Sequence, residues 1–200
     1  MDVRSRILDS ALGLVLESGV AALTQPKIAR AAGLRQSHLT YYFPTRAELL
    51  QSVVQHMMDA MVSGIAQRTS AGKTGPGRRG GAGAAALLRG LAEGVSDPRR
   101  ARLMLALVVA SDEQASTKRW LRDFVATLRG RLAALLEAAG LDGSRAAEMH
   151  MMLVGAAILN VARDDAASRR EARRAAATAL QVFGARAQTV RAGRRSGGAA

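Results

Sequence analysis

The chain has 200 residues, no cysteine, 3% aromatic residues and a formal charge of +13 from 29 basic and 16 acidic side chains. The missing thiols exclude a disulfide framework, a Cys-based zinc site and a thiol nucleophile. A core short of rings must be built from Ala, Leu, Val and Met, which favour helix over strand, and the basic balance points to a polyanionic partner, nucleic acid or an anionic membrane surface.

Charges run through the first ten residues, unlike a secretory signal. The longest charge-free apolar segment, Met149–Ala162, is 14 residues, short of the roughly 20 a membrane span needs. A soluble, cytoplasmic chain with no membrane partner is expected.

In chain order, Ile7, Leu8, Ala11, Leu12, Val15 and Leu16 recur at helical spacing, predicting a helix over 3–18 that stops at Gly19. Thr24 is a candidate N-cap with Pro26 in the first turn, so Gln25–Ala32 reads as a short helix ended by Gly33. A third short helix, Gln36–Tyr42, is closed by Phe43 and Pro44. Thr45 and Glu48 form a capping box for a longer helix to about Gln67. The Gly-rich stretch AGKTGPGRRGGAG marks a flexible linker over about 70–83. Helices then follow at about 84–95, 98–111, 114–139, 144–163 and 168–189. One carries a stripe of Trp120, Phe124, Leu128, Leu132 and Leu135; the last carries Ala176, Ala179, Leu180, Phe183 and Ala187. Residues 190–200 read as a disordered basic tail, and no alternating strand pattern occurs, so the chain is all-α.

Net charge is uneven: +2 over residues 1–50, +6 over 66–102 and +4 over 184–200. Most of the excess is therefore assigned to flexible Gly-Arg segments, including Lys73, Arg78 and Arg79 in the linker and Arg191, Arg194 and Arg195 in the tail.

No phosphate-binding glycine loop, Gly-x-Ser-x-Gly or His-Glu-x-x-His occurs. The acid pairs Asp112–Glu113 and Asp164–Asp165 are sequence neighbours near helix ends. The chain reads as a non-enzyme without a cofactor. His56 and His150 stand beside methionines, a soft-metal pairing in principle. Without Cys or a His-x3-His pair they read as packed side chains, and no metal is expected.

Short helix, glycine turn, short helix is the grammar of a helix-turn-helix, whose second helix enters the major groove. Leu39 faces inward there, leaving Gln36, Ser37, His38, Thr40, Tyr41 and Tyr42 for the outer faces. Arg46 begins a helix, the wrong end of the dipole for a cation, and a phosphate partner would account for it.

Over residues 4–55 the chain resembles the TetR/AcrR family of transcriptional regulators. The resemblance is carried by Ile7-Leu8, Ala11, Glu17, Gly19, Leu23-Thr24, Lys27-Ile28-Ala29, Ala32-Gly33-Leu34, Leu39, Tyr41-Tyr42-Phe43, Arg46 and Glu48-Leu49-Leu50. It implies a three-helix DNA-binding head over 1–46 and a helical ligand-binding and dimerisation body over 47–189. Carried over by position, it implies base contacts from Gln25, Gln36, Ser37 and His38. Phosphate contacts would come from Thr24, Lys27, Tyr41, Tyr42 and Arg46. Thr40 stands where the family often has tyrosine, Arg35 where a Ser commonly caps the helix, and His38 where a small residue is usual. In the body, Met61, Met104, Trp120 and Phe124 are candidate pocket residues. The helix at 144–163 is apolar nearly all round, as in a subunit interface shared with 168–189 or the centre of one subunit's core.

The reading is a dimeric, ligand-responsive repressor on a palindromic double-stranded operator, with an unidentified small-molecule effector. A non-specific basic nucleic-acid-binding protein and an activator with the same head are the alternatives.

Overall fold

A computed structural model describes residues 2–71 and 81–196. Among these the elements are α1 (Val3–Ser18), α2 (Gln25–Ala31), α3 (Gln36–Tyr42), α4 (Arg46–Ala71), α5 (Gly81–Ser96), α6 (Pro98–Glu113), α7 (Ala115–Ala138), α8 (Ala146–Arg163) and α9 (Ala166–Ser196), with short 3-10 turns at Val20–Ala22 and Gly143–Arg145. No strand occurs among the described residues, and the all-α expectation holds.

Helix ends follow from local chemistry. The Thr45–Glu48 capping box is reciprocal: Glu48 N–H donates to Thr45 Oγ1 and Thr45 N–H donates to Glu48 Oε2, each at 3.1 Å. A second such box opens α9, where Asp165 N–H donates to Ser168 Oγ at 3.2 Å and Ser168 N–H returns a bond to the Asp165 carboxylate. The Ser168 N–H above all, with its hydroxyl, holds the Asp165 carboxyl below its usual range. Thr24 has the extended backbone of an N-cap but makes no side-chain cap bond. Of the two N–H groups a cap side chain usually accepts from, at the second and third helical residues, Pro26 lacks the first.

By contacts the chain forms two compact units, Met1–Ala60 with Arg99–Phe124, and Met61–Pro98 with Val125–Ala200. These packing units are discontinuous because α4 and α7 are long enough to contribute to both. In the first unit, Ile7, Leu8, Ala11 and Val15 of α1 are buried together with Ile28 of α2, Leu39 of α3, Phe43, and Leu49, Leu50, Val53 and Val54 of α4. Each large apolar side chain so buried contributes about 1.5–3 kcal/mol. Arg4 lies with its guanidinium 5.4 Å from the Phe43 ring centroid, a cation–π contact that closes the end of this core.

The second unit is a Leu- and Ala-lined core of Ile65, Leu87, Leu91, Leu132, Leu136, Met149, Leu153, Ala176 and Leu180. Its buried polar side chains include Asn160, which has no exposed surface. The Asn160 amide donates to the Val95 carbonyl at 3.3 Å and accepts from Ser168 Oγ at 3.1 Å, tying the end of α5 to the start of α9. Arg173 Nε adds a bond to Ser96 Oγ at 3.1 Å.

Three expectations change. α8 is not buried on all sides within this chain: Ala146, Met149, Leu153 and Asn160 face in, while Met151, Val154, Ile158 and Leu159 are exposed. Of the two readings of this helix, the centre of one subunit's core does not fit the uncovered half, whereas a subunit interface does not require burial within one chain. The excess charge of 66–102 is not mainly in a loop, since Arg68 lies on α4, Arg89 on α5, and Arg99, Arg100 and Arg102 on α6. The remaining cations of that stretch, Lys73, Arg78 and Arg79, lie outside the described residues, as do most of the expected linker positions. The last helix also runs on through 190–196, the first part of the expected tail. Residues 197–200 and the side chains of Phe183, Ala187, Arg191, Arg194 and Arg195 lie outside what is described.

Candidate nucleic-acid interface

The turn between α2 and α3 is set by Gly33. Its φ of 63° is left-handed, a conformation costly to any residue with a Cβ. Gly33 N–H donates to the Arg30 carbonyl at 3.1 Å and Leu34 N–H to the Ala29 carbonyl at 2.9 Å, the paired bonds of a Schellman stop. Two residues later α3 starts, with Arg35 in extended conformation before it.

Leu39 is the buried residue of α3 and pins the helix to its unit. Gln36, Ser37, His38, Thr40 and Tyr41 are exposed, Tyr41 at 80%, and Tyr42 is half-buried. The two tyrosine rings meet edge to face with centroids 5.2 Å apart. Each ring pairs an apolar body with a hydroxyl at its tip. At the other end of α3, Gln36 Nε2 donates to Gln25 Oε1 at 3.3 Å, and Thr40 Oγ1 lies 3.4 Å from the same oxygen. This polar cluster joins the first residue of α2 to α3. Thr24 and Gln25 are half-buried, and Lys27 is exposed on α2. Arg46 is exposed at the first turn of α4, directly after the Thr45 cap.

One signal was missed in the sequence. From Val20 to Ala47 there is no Asp or Glu, while Lys27, Arg30, Arg35 and Arg46 lie within that run and are all exposed. Averaging charge over residues 1–50 hid this, because the four acids counted there lie in α1 and its preceding residue, or at Glu48. The helix-turn-helix is therefore more cationic than its surroundings, and Arg30 and Arg35 join the candidate contacts.

The family model for bacterial regulatory proteins of the tetR family matches residues 7–53, which include most of α1, all of α2 and α3, and the start of α4. The head of this chain belongs to the tetR family. No curated protein matches the chain. Solved structures match almost end to end. A TetR transcription regulator from Haloarcula marismortui superposes with a TM-score of 0.65 at 18% identity, over 91% of this chain and 98% of that one. A transcriptional regulator from Rhodococcus sp. Rha1 gives 0.64 at 19%, over 90% and 95%. A transcriptional regulator from Saccharomonospora viridis, in complex with choline, gives 0.61 at 16%, over 89% and 95%. At these identities the likeness is one of fold: behind the tetR-family head stands a TetR-like helical body.

The four residues picked out for a pocket are divided between the packing units. Met104, Trp120 and Phe124 belong to the first and Met61 to the second. Trp120 stacks on Phe124 with centroids 4.9 Å apart and planes 12° apart. Phe124 is buried and Trp120 half-buried.

Neither histidine gathers metal ligands. His56 Nε2 lies 2.6 Å from Asp9 Oδ1, linking α4 to α1. His150 Nδ1 accepts from Arg129 Nε at 3.4 Å. Burial, and then the Arg129 charge, push the His150 imidazole below its ordinary pKa. Among the described residues no group of three or more His, Asp or Glu is placed to hold a metal ion. No described helix is long and apolar enough to cross a membrane.

Proposed function

We propose that this protein is a dimeric, ligand-responsive repressor that works in the cytoplasm on a palindromic DNA operator. Residues 1–46 are the DNA-binding head and 47–189 the effector-binding and dimerisation body. The observation that carries the reading is the exposed, acid-free helix-turn-helix, in which every α3 side chain but Leu39 is left at least partly uncovered and the turn is fixed by backbone bonds.

In this reading α3 lies in the major groove, and Gln36, Ser37 and His38 at its start meet base edges. Thr24, Lys27, Tyr41, Tyr42 and Arg46 hold the flanking phosphates, which set register without reading sequence. Two heads address two half-sites. The second copy docks on the uncovered face of α8, where Met151 is 58% and Leu159 61% exposed, together with Val182 of α9 at 49%. Apolar residues at that exposure are what an isologous helical interface removes from water. The effector is a small organic molecule bound in the body. The stacked Trp120–Phe124 pair offers an aromatic face, and the choline-bound neighbour shows a regulator of this fold holding a small organic cation. Ligand binding to one of two head spacings then lowers DNA affinity.

The reading is tested by operator binding against salt. Each phosphate contact contributes a slope of about −0.9 in log K against log salt. Arg46→Ala takes one contact from each head, so the slope should become shallower by about 2 per dimer, with helix content unchanged. Tyr42→Phe should weaken binding by about 1 kcal/mol per head through the lost hydrogen bond. Wild-type affinity and slope in both variants would refute the assignment. Because the chain has a single tryptophan, fluorescence of Trp120 reports effector binding directly.

A further inference from the structure

We infer that Gln25 is a positioning residue that turns the Gln36 amide to read an adenine in each operator half-site. The inference rests on the DNA-binding reading above and adds to it which base is recognised and by what hydrogen-bond pattern.

Gln36 opens α3, the place from which a recognition helix reaches base edges. A primary amide has two N–H donors and one carbonyl acceptor. One Gln36 N–H is committed to Gln25 Oε1 at 3.3 Å. That bond fixes which way the amide faces and leaves Gln36 with its Oε1 acceptor and one N–H donor. An acceptor beside a donor is the complement of adenine in the major groove, which shows the N6 donor beside the N7 acceptor. Guanine presents two acceptors there and rejects the Gln36 oxygen. Gln25 Oε1 is in turn crowded by Thr40 Oγ1 at 3.4 Å, a hydroxyl that also lies 3.2 Å from the Gln36 carbonyl oxygen. With its oxygen turned to Gln36 and Thr40, Gln25 has only N–H groups left to offer. It therefore holds the reader in place, and its own free donors suit any acceptor, a phosphate included.

The test uses the full chain and a pool of random duplexes, selected in parallel with wild type, Gln36→Ala, Gln36→Met, Gln25→Met and Gln25→Glu. Wild type should enrich a half-site containing one adenine whose selection disappears in both Gln36 variants. Direct binding to duplexes differing only at that pair should show the wild-type preference, about 5- to 150-fold, collapsing toward unity. Gln25→Met, which lacks the accepting oxygen, should lower the same ratio and leave the other positions selected. Gln25→Glu keeps an accepting oxygen and should keep the ratio, even though its charge weakens binding to all duplexes alike. A variant that merely unfolds loses every duplex equally and leaves the ratio in the residual binding unmoved. The inference is overturned if the position controlled by Gln36 is not an adenine, or if Gln25→Met leaves its ratio at the wild-type value. If wild type enriches no sequence at all, the DNA-reading assignment falls and the inference falls with it.

Discussion

Gly90 allows a close helix contact that its replacement would break. A Cβ built on Gly90 of α5 would lie 2.3 Å from Ile65 Cγ1 and 2.8 Å from Ile65 Cδ1 of α4. Carbon atoms prefer a separation of about 3.5–4.0 Å, so the shortfall is more than an ångström. Ile65 is 1% exposed and belongs to the core of its unit. Gly90→Ala gains about 1 kcal/mol of helix propensity, but the overpacking costs about 1–3 kcal/mol, and a gap this short belongs at the upper end. The net effect should be a loss of about 1–2 kcal/mol. Urea unfolding followed by circular dichroism at fixed protein concentration reads it as a lower midpoint with unchanged slope. Gly130→Ala is the control: a Cβ there meets nothing within 4 Å, so the propensity gain appears alone. In an Ile65→Ala background the clash is gone and Gly90→Ala should stabilise. If Gly90→Ala stabilises the otherwise wild-type protein as Gly130→Ala does, α5 and α4 do not approach as closely as argued.

The other expectations concern single side chains. The His150 imidazole is held below its ordinary value of about 6.5 by burial and by Arg129. As pH falls below that value the unfolded chain binds the proton first, so this contribution to stability is complete above about 6.5 and is lost on acidification. A pH series of urea midpoints should show the loss, and His150→Gln should flatten it; an unchanged profile would remove His150 as its source. Asn160→Ala strips partners from the Val95 carbonyl and Ser168 hydroxyl and should cost about 1–3 kcal/mol; a change within error in the same assay would show that water replaces the amide. Leu159→Glu, on the exposed side of α8, should halve the mass seen by sedimentation equilibrium with helix content kept, whereas a wild-type mass would place the dimer contact elsewhere.

What the sequence made legible was mostly local. Gly33 after α2 and Gly140 after α7 mark helix ends because the left-handed turn they permit is a property of the residue itself. Thr45 and Glu48 announce the start of α4 because both bonds of the box form within four residues. The helix-turn-helix backbone was legible for the same reason, since α2, the turn and α3 are contiguous. The unread features depend on distant partners. Asn160 sits in an apolar run and is satisfied by groups 65 residues before it and 8 after it, which no periodicity shows. Which half of α8 stays exposed was not legible, because hydrophobic residues alone do not say which neighbours are present. The acid-free run from Val20 to Ala47 was in plain view, but was averaged away with the acids of α1.

The central claim, that two copies of α3 read a symmetric DNA sequence, is tested most directly by selecting duplexes from a random pool with the wild-type chain. The account predicts an inverted repeat whose half-site centres are a whole number of helical turns apart, each turn about 34–36 Å. Enrichment no better than for competitor DNA, or a motif without two-fold symmetry, would contradict it.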